Sequence, residues 1–135
     1  MIASPCPVPR SGRELASPRK QSGHYAERMK SVIVIVAYRP KPGKETELLD
    51  LMGNRVPILR KEGLVTDREP IIMRARDGTI IEVSEWKSRE AIDAAHKNPN
   101  VWAMWDKFSA ACEFVPLKNL GEAEEMFAGF QPVAD

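Results

Sequence analysis

Acid–base chemistry needs a group that exchanges protons near neutral pH, and this chain has few. His96 is one of two histidines and lies in "WKSREAIDAAHKNPNVWAMW", residues 86–105, which also holds all three tryptophans. An imidazole with an ordinary pKa near 6.5 can take and return a proton at neutral pH, so His96 is the general-base candidate. Just before Asn98-Pro99 it reads equally as a helix-end histidine bonded to backbone carbonyls. Tyr38 closes an apolar strand, where its hydroxyl could donate to a bound carbonyl or phenolate; the alternative is a tyrosine at the rim of the fold. Glu82 lies inside an apolar hairpin. A carboxylate there has a raised pKa unless paired, which makes it a secondary base. The competing reading is an ion pair with Arg68, Arg74 or Arg76 of this or a second copy, and Glu85 reads the same way.

Trp86, Trp102 and Trp105 offer an aromatic wall for a flat ligand, with Met73 and Glu82 as further candidate contacts. They compete with a core reading. Val101, Trp105, Phe108 and Cys112 recur at i, i+4, i+7 and i+11, a core stripe. Trp102 sits about 100° away on the helical wheel, where a cavity or its rim is expected. Cys6 and Cys112 are far apart, and no Cys/His/carboxylate cluster has metal-ligand spacing. No metal site is expected.

The elements that must position these residues are legible. "VIVIVAY", 32–38, is β-branched and ends at Arg39-Pro40, a first strand. Leu48, Met52, Val56 and Leu59 recur at helical spacing between Lys44 and about Glu62, with Gly63 as the stop and a kink expected at Pro57. In "EPIIMRARDGTIIEVSEW", Asp77-Gly78 suggests a two-residue hairpin. That turn pairs Met73 with Glu82 and puts Ile71, Met73, Ala75, Ile80, Glu82, Ser84 and Trp86 on one face. Ser88 is placed to cap a helix that breaks at Asn98, and Pro99 can start a second segment reaching Ala111. "CEFVPL", 112–117, is a last strand. "NLGEAEEMFAGF" reads as one short helix before an extended tail. The order β-α-β-β-α-β is an α+β, ferredoxin-like split arrangement with an antiparallel sheet.

With 135 residues and 29% charged side chains the chain is long enough for one soluble domain with a real core. Net charge is +1, which argues for neither a nucleic-acid nor an anionic-membrane partner. No apolar run approaches the roughly 20 residues of a spanning helix. Reduced cysteines point to the cytoplasm. The basic excess belongs to residues 1–28, which carry five basic and two acidic residues. Residues 1–29 are therefore expected to be a disordered Pro/Ser-rich extension, 30–118 the folded domain, and 119–135 a C-terminal helix and tail. Met29, heading "MKSVIVIVAY", resembles a natural protein start.

The element order, "VAYRPKPGKE", "EGLVTDREP" and above all "SEWKSREAIDAAHKNPNV" resemble the antibiotic biosynthesis monooxygenase family over about residues 31–118. The resemblance implies a homodimeric α/β barrel, two four-stranded sheets closing face to face with helices outside. It implies a pocket between sheet and helices in each subunit. Some members are cofactor-free monooxygenases of phenolic polyketides or quinols, so a small aromatic ligand and no cofactor are expected. In such an enzyme His96 would be the base and Tyr38 would hold the substrate oxygen. A haem-degrading branch relies on a strand-one Asn and a Trp/His pair. Here strand one offers Tyr38, and Trp105 falls near the place of the haem-ligating His, so haem is not expected. A non-catalytic ligand-binding or structural dimer is the alternative.

Overall fold

β-branched residues from Val32 onward cannot pack comfortably in a helix but fit a pleated surface, and they form β1, Val32–Pro40. The computed structural model describes residues 29–133. The sheet and its helices belong to one compact unit beginning at Ser31. The extension expected over residues 1–29 lies outside the described residues except for Met29.

Helix α1, Glu45–Lys61, follows β1 and runs through Pro57. Gly63, at φ +76°, ends it. Leu64 N–H bonds Leu59 O and Gly63 N–H bonds Arg60 O, which is the paired closure that a left-handed glycine permits. Strands β2, Ile71–Arg74, and β3, Ile80–Trp86, form the hairpin. Ser88 Oγ accepts from Ala91 N–H and starts α2, Arg89–Ala95. Asn98 Oδ1 accepts from Asn100 and Val101 N–H, Pro99 takes the first helical position, and α3 runs Pro99–Ala111. Strands β4, Cys112–Val115, and β5, Gln131–Pro132, complete an antiparallel sheet ordered β4-β1-β3-β2-β5.

Two local expectations are corrected. The hairpin loop has three residues, Arg76 to Gly78. Ala75 N–H bonds Thr79 O, Gly78 N–H bonds Ala75 O, and Asp77 Oδ1 accepts from Thr79 N–H. Gly78 stands at φ +94°, the positive-φ position that closes such a loop. Ile72, not Met73, therefore faces Glu82. A one-residue slip turns a strand over, so Ile72 shares a face with Ile80, Glu82, Ser84 and Trp86, while Ile71 and Met73 lie on the other. Gly78→Ala is expected to lower stability by about 1–2 kcal/mol, measured as a lower urea midpoint at unchanged slope. The second correction concerns the tail. In place of one helix it forms two short 3-10 turns, Leu117–Asn119 and Gly121–Glu124, before β5. Buried Glu122 accepts from Arg76 N–H. That anchor satisfies the segment where a helix so short could not sustain itself.

Helices α1, α2 and α3 pack on one face of the sheet. Leu48, Met52, Val56 and Leu59 of α1 and Val101, Met104 and Phe108 of α3 bury Tyr38, Ile80 and Trp86. Ile80 and Trp86 are thus under the helices. On the opposite face Leu120 and Phe130 of the tail cover Ala37, Ala75 and Ile81 at one end. Beyond them Ile35, Val83 and Ile71 sit directly opposite one another across β1, β3 and β2. Ile33, Ile35 and Ile71 are 57%, 46% and 59% exposed.

Candidate active site

A cavity of about 390 Å³ opens between the sheet and the two helix segments that meet at Asn98. Strand β1 contributes Val34, Val36 and Tyr38 to its wall, α1 contributes Arg55 and β3 contributes Trp86. Ile92 and His96 come from α2, Trp102, Trp105, Phe108 and Ser109 from α3, and Phe114 from β4.

His96 is the C-terminal cap of α2. Its ring is solvent-exposed and also lines the cavity, so it stands at the rim. Nδ1 lies 2.9 Å from Ile92 O. A carbonyl only accepts, so Nδ1 carries the hydrogen, and in the neutral ring Nε2 keeps its lone pair. The ring meets Trp105 edge-on at 5.2 Å, and Trp105 meets Trp102 at 5.3 Å. Trp102 Nε1–H donates to His96 O at 2.6 Å. Both sequence readings of His96 therefore describe one residue: it terminates the helix and it borders the cavity.

Tyr38 is buried between Phe108 and Phe114, with both ring centroids at 5.4 Å. Its hydroxyl donates to Glu82 Oε1 at 3.2 Å. The hydrogen expected for a ligand is thus committed within the protein. Burial pushes the hydroxyl well above the usual phenol range; Arg55 opposes this and Glu82 adds to it.

Glu82 is fully buried but is not part of the cavity wall. Its partner is none of the arginines expected. Arg55 Nη1 donates to Oε1 at 2.5 Å, while Arg74 pairs with Glu45 and Arg76 with Glu125. Arg68 pairs with Glu85 at 3.0 Å. Burial raises the Glu82 carboxyl above its ordinary value, against the opposing effects of Arg55 and the Tyr38 hydrogen bond. Met73, proposed from sequence beside Glu82, faces away from the cavity because of the corrected register.

Arg55 is the charged wall residue that sequence reading passed over. It is 4% exposed and its guanidinium carbon lies 5.9 Å from the Trp86 ring centre. The available signal was position: Arg55 falls seven residues after Leu48 and four before Leu59, on the buried stripe of α1 rather than its solvent face. Among the described residues three polar atoms of β3 are buried without partners: Glu82 Oε2, Ser84 Oγ and Trp86 Nε1. Buried polar atoms are normally satisfied, so this strand leaves hydrogen-bonding capacity under the helices.

The profile of the antibiotic biosynthesis monooxygenase family matches residues 31–107. No curated protein matches the chain. Among solved structures, it is similar to SnoaB, a cofactor-independent oxygenase from Streptomyces nogalater, at 12% identity and TM-score 0.54, covering 64% of this chain and 87% of that one. Rv0793 from Mycobacterium tuberculosis is similar at 19% identity and TM-score 0.52, covering 64% and 89%. A conserved protein from Methanosarcina mazei Go1 is similar at 17% identity and TM-score 0.55, covering 67% and 92%. At these identities the likeness is one of fold, and it agrees with the β-α-β-β-α-β order and the helices gathered on one sheet face. Because the family profile spans more than half of its length, the chain belongs to the antibiotic biosynthesis monooxygenase family.

Proposed function

We propose that this protein oxidises a small aromatic or quinol-like substrate with molecular oxygen and no cofactor. The observation that carries the reading is the aromatic-walled cavity with an imidazole at its rim, tied through Nδ1 so that Nε2 is available as a base. Nε2 takes the proton of an activated C–H or O–H group, and the resulting anion passes an electron to oxygen. Recombination at carbon and loss of water turn a CH2 group and O2 into a C=O group and H2O. Trp86, Trp102 and Trp105 hold the ring system. The likeness to a cofactor-independent oxygenase supports the reading. The test is oxygen consumption with anthrone-like and quinol substrates, with one atom of isotopic O2 appearing in an anthrone's ketone product. No uptake with any such substrate sinks it.

A binding function without catalysis is the second reading. The exposed His96 ring favours it, because bonding to Ile92 O explains this residue as a helix stop alone. Saturable quenching of tryptophan fluorescence without oxygen uptake would select it.

The unit works, in this proposal, as a homodimer in the cytoplasm. Among the described residues no helix is long and apolar enough to cross a membrane. The row Ile35, Val83, Ile71 is a contiguous apolar strip of the kind that marks an interface, and a second copy of the same face would cover it. Ile35→Glu is expected to convert a dimer to monomers in sedimentation velocity. A monomeric wild-type protein, or a dimeric variant, would count against that interface.

A further inference from the structure

We infer that Arg55 makes the cavity selective for ligands that carry an oxyanion on a flat ring system, an inference that rests on the cavity being the ligand site proposed above. A guanidinium has five N–H donors and no acceptor. Among the described residues Arg55 uses one nitrogen, Nη1, which bonds Glu82 Oε1; Nε and Nη2 have no hydrogen-bond partner. The residue is nonetheless buried and on the cavity wall. The unpartnered Nε1–H of Trp86, whose ring lies beside the guanidinium, is sealed from the cavity, whereas Arg55 Nε and Nη2 are not among the sealed unpartnered atoms. Arg55 is thus the wall residue whose unpaired donors a ligand can meet. The buried acceptor without a partner, Glu82 Oε2, is not a wall atom, and no carboxylate lines the cavity.

The Arg55–Glu82 pair is formally neutral, so the preference comes from directed donors rather than net charge. A planar guanidinium fork matches a carboxylate or an enolate edge and forms short charge-assisted bonds to it. The aromatic walls supply the rest of the affinity without regard to charge. The ligand class is therefore an aromatic carboxylate, phenolate or enolate, and its neutral isostere is discriminated against.

The test is calorimetric titration of the full chain at pH 8 with 2-naphthoate and with neutral 2-naphthamide. Naphthoate is expected to bind on the order of tenfold tighter, the strength of one charge-assisted hydrogen bond. The double variant Arg55→Gln/Glu82→Gln, which keeps a neutral hydrogen-bonding pair, is expected to bind both equally. Arg55→Lys, which keeps the charge but not the fork, is expected to retain a reduced preference and serves if the double variant does not fold. Equal binding of the two probes by the wild type, or a full preference surviving in the variants, overturns the role of Arg55 and leaves the aromatic cavity standing. Binding of neither probe overturns both readings.

Discussion

His96→Ala is expected to lower oxygen-dependent turnover by about 10²–10⁴-fold, the usual worth of a positioned general base. The loss should fall mainly on kcat, because Trp86, Trp102 and Trp105, which hold the substrate, are all retained, Trp105 losing only its edge-on contact with the His96 ring. Folding should change little. The ring is exposed, and the variant loses one hydrogen bond to Ile92 O, worth roughly 0.5–1.5 kcal/mol. A large kinetic loss with a small shift in Tm therefore separates a base from a helix terminator. His96→Gln sharpens the comparison, since its amide can still donate to Ile92 O but cannot act as a base. Recovery of stability without recovery of rate is the expected pattern. Turnover within a few-fold of wild type in either variant would remove His96 from the chemistry.

Arg55→Met is expected to destabilise the fold by about 3–5 kcal/mol at pH 8, because it leaves Glu82 as an uncompensated buried charge. The pH dependence has a definite sign. Burial already raises the Glu82 carboxyl in the wild type, and Arg55 is the largest opposing influence. The folded state then holds its proton more tightly than the unfolded state does. Stability from this group is complete below the unfolded carboxyl pKa, roughly 4.3, and is lost as pH rises through the higher folded value. Removing Arg55 moves the folded value further up, so the decline steepens and extends toward neutrality. Arg55→Met should thus be closest to wild type near pH 4 and furthest from it at pH 8. Adding Glu82→Met should recover much of the loss. Urea midpoints across that range measure it; a deficit independent of pH would mean that packing, and not charge, sets the effect.

Most of the scaffold was legible because its determinants are local. Ser88, Asn98-Pro99 and Gly63 act within a few residues of themselves, so caps and stops could be read from composition and spacing. The hairpin register could not. Asp77-Gly78 serves a two-residue loop and the end of a three-residue loop alike, and only pairing against β1 and the helices decides between them. That single ambiguity displaced Met73 and set Ile71 on the face of Ile80, Glu82 and Trp86. The candidate site was half legible. Cavity-lining Tyr38, Trp86, His96, Trp102 and Trp105 stood out by residue type. Arg55 did not, because a charged residue inside an apolar helical stripe reads as a long stem reaching for water. Its partner is 27 residues away in sequence, and nothing short of the fold brings the two together.

The two-residue strand β5 also limits how far this sheet can grow on its β2 side. An uncovered outer strand offers its peptide groups as a template to any extended chain, which is how edge-to-edge aggregation starts. Here Gln131 and Pro132 occupy β2's outer side, opposite Arg74 and Met73, and Val133 N–H bonds Ile72 O. The added strand is too short to be a useful template, and Pro132 has no N–H to give. Loss of the final few residues would reopen that edge, so truncation there should cost solubility before it costs fold.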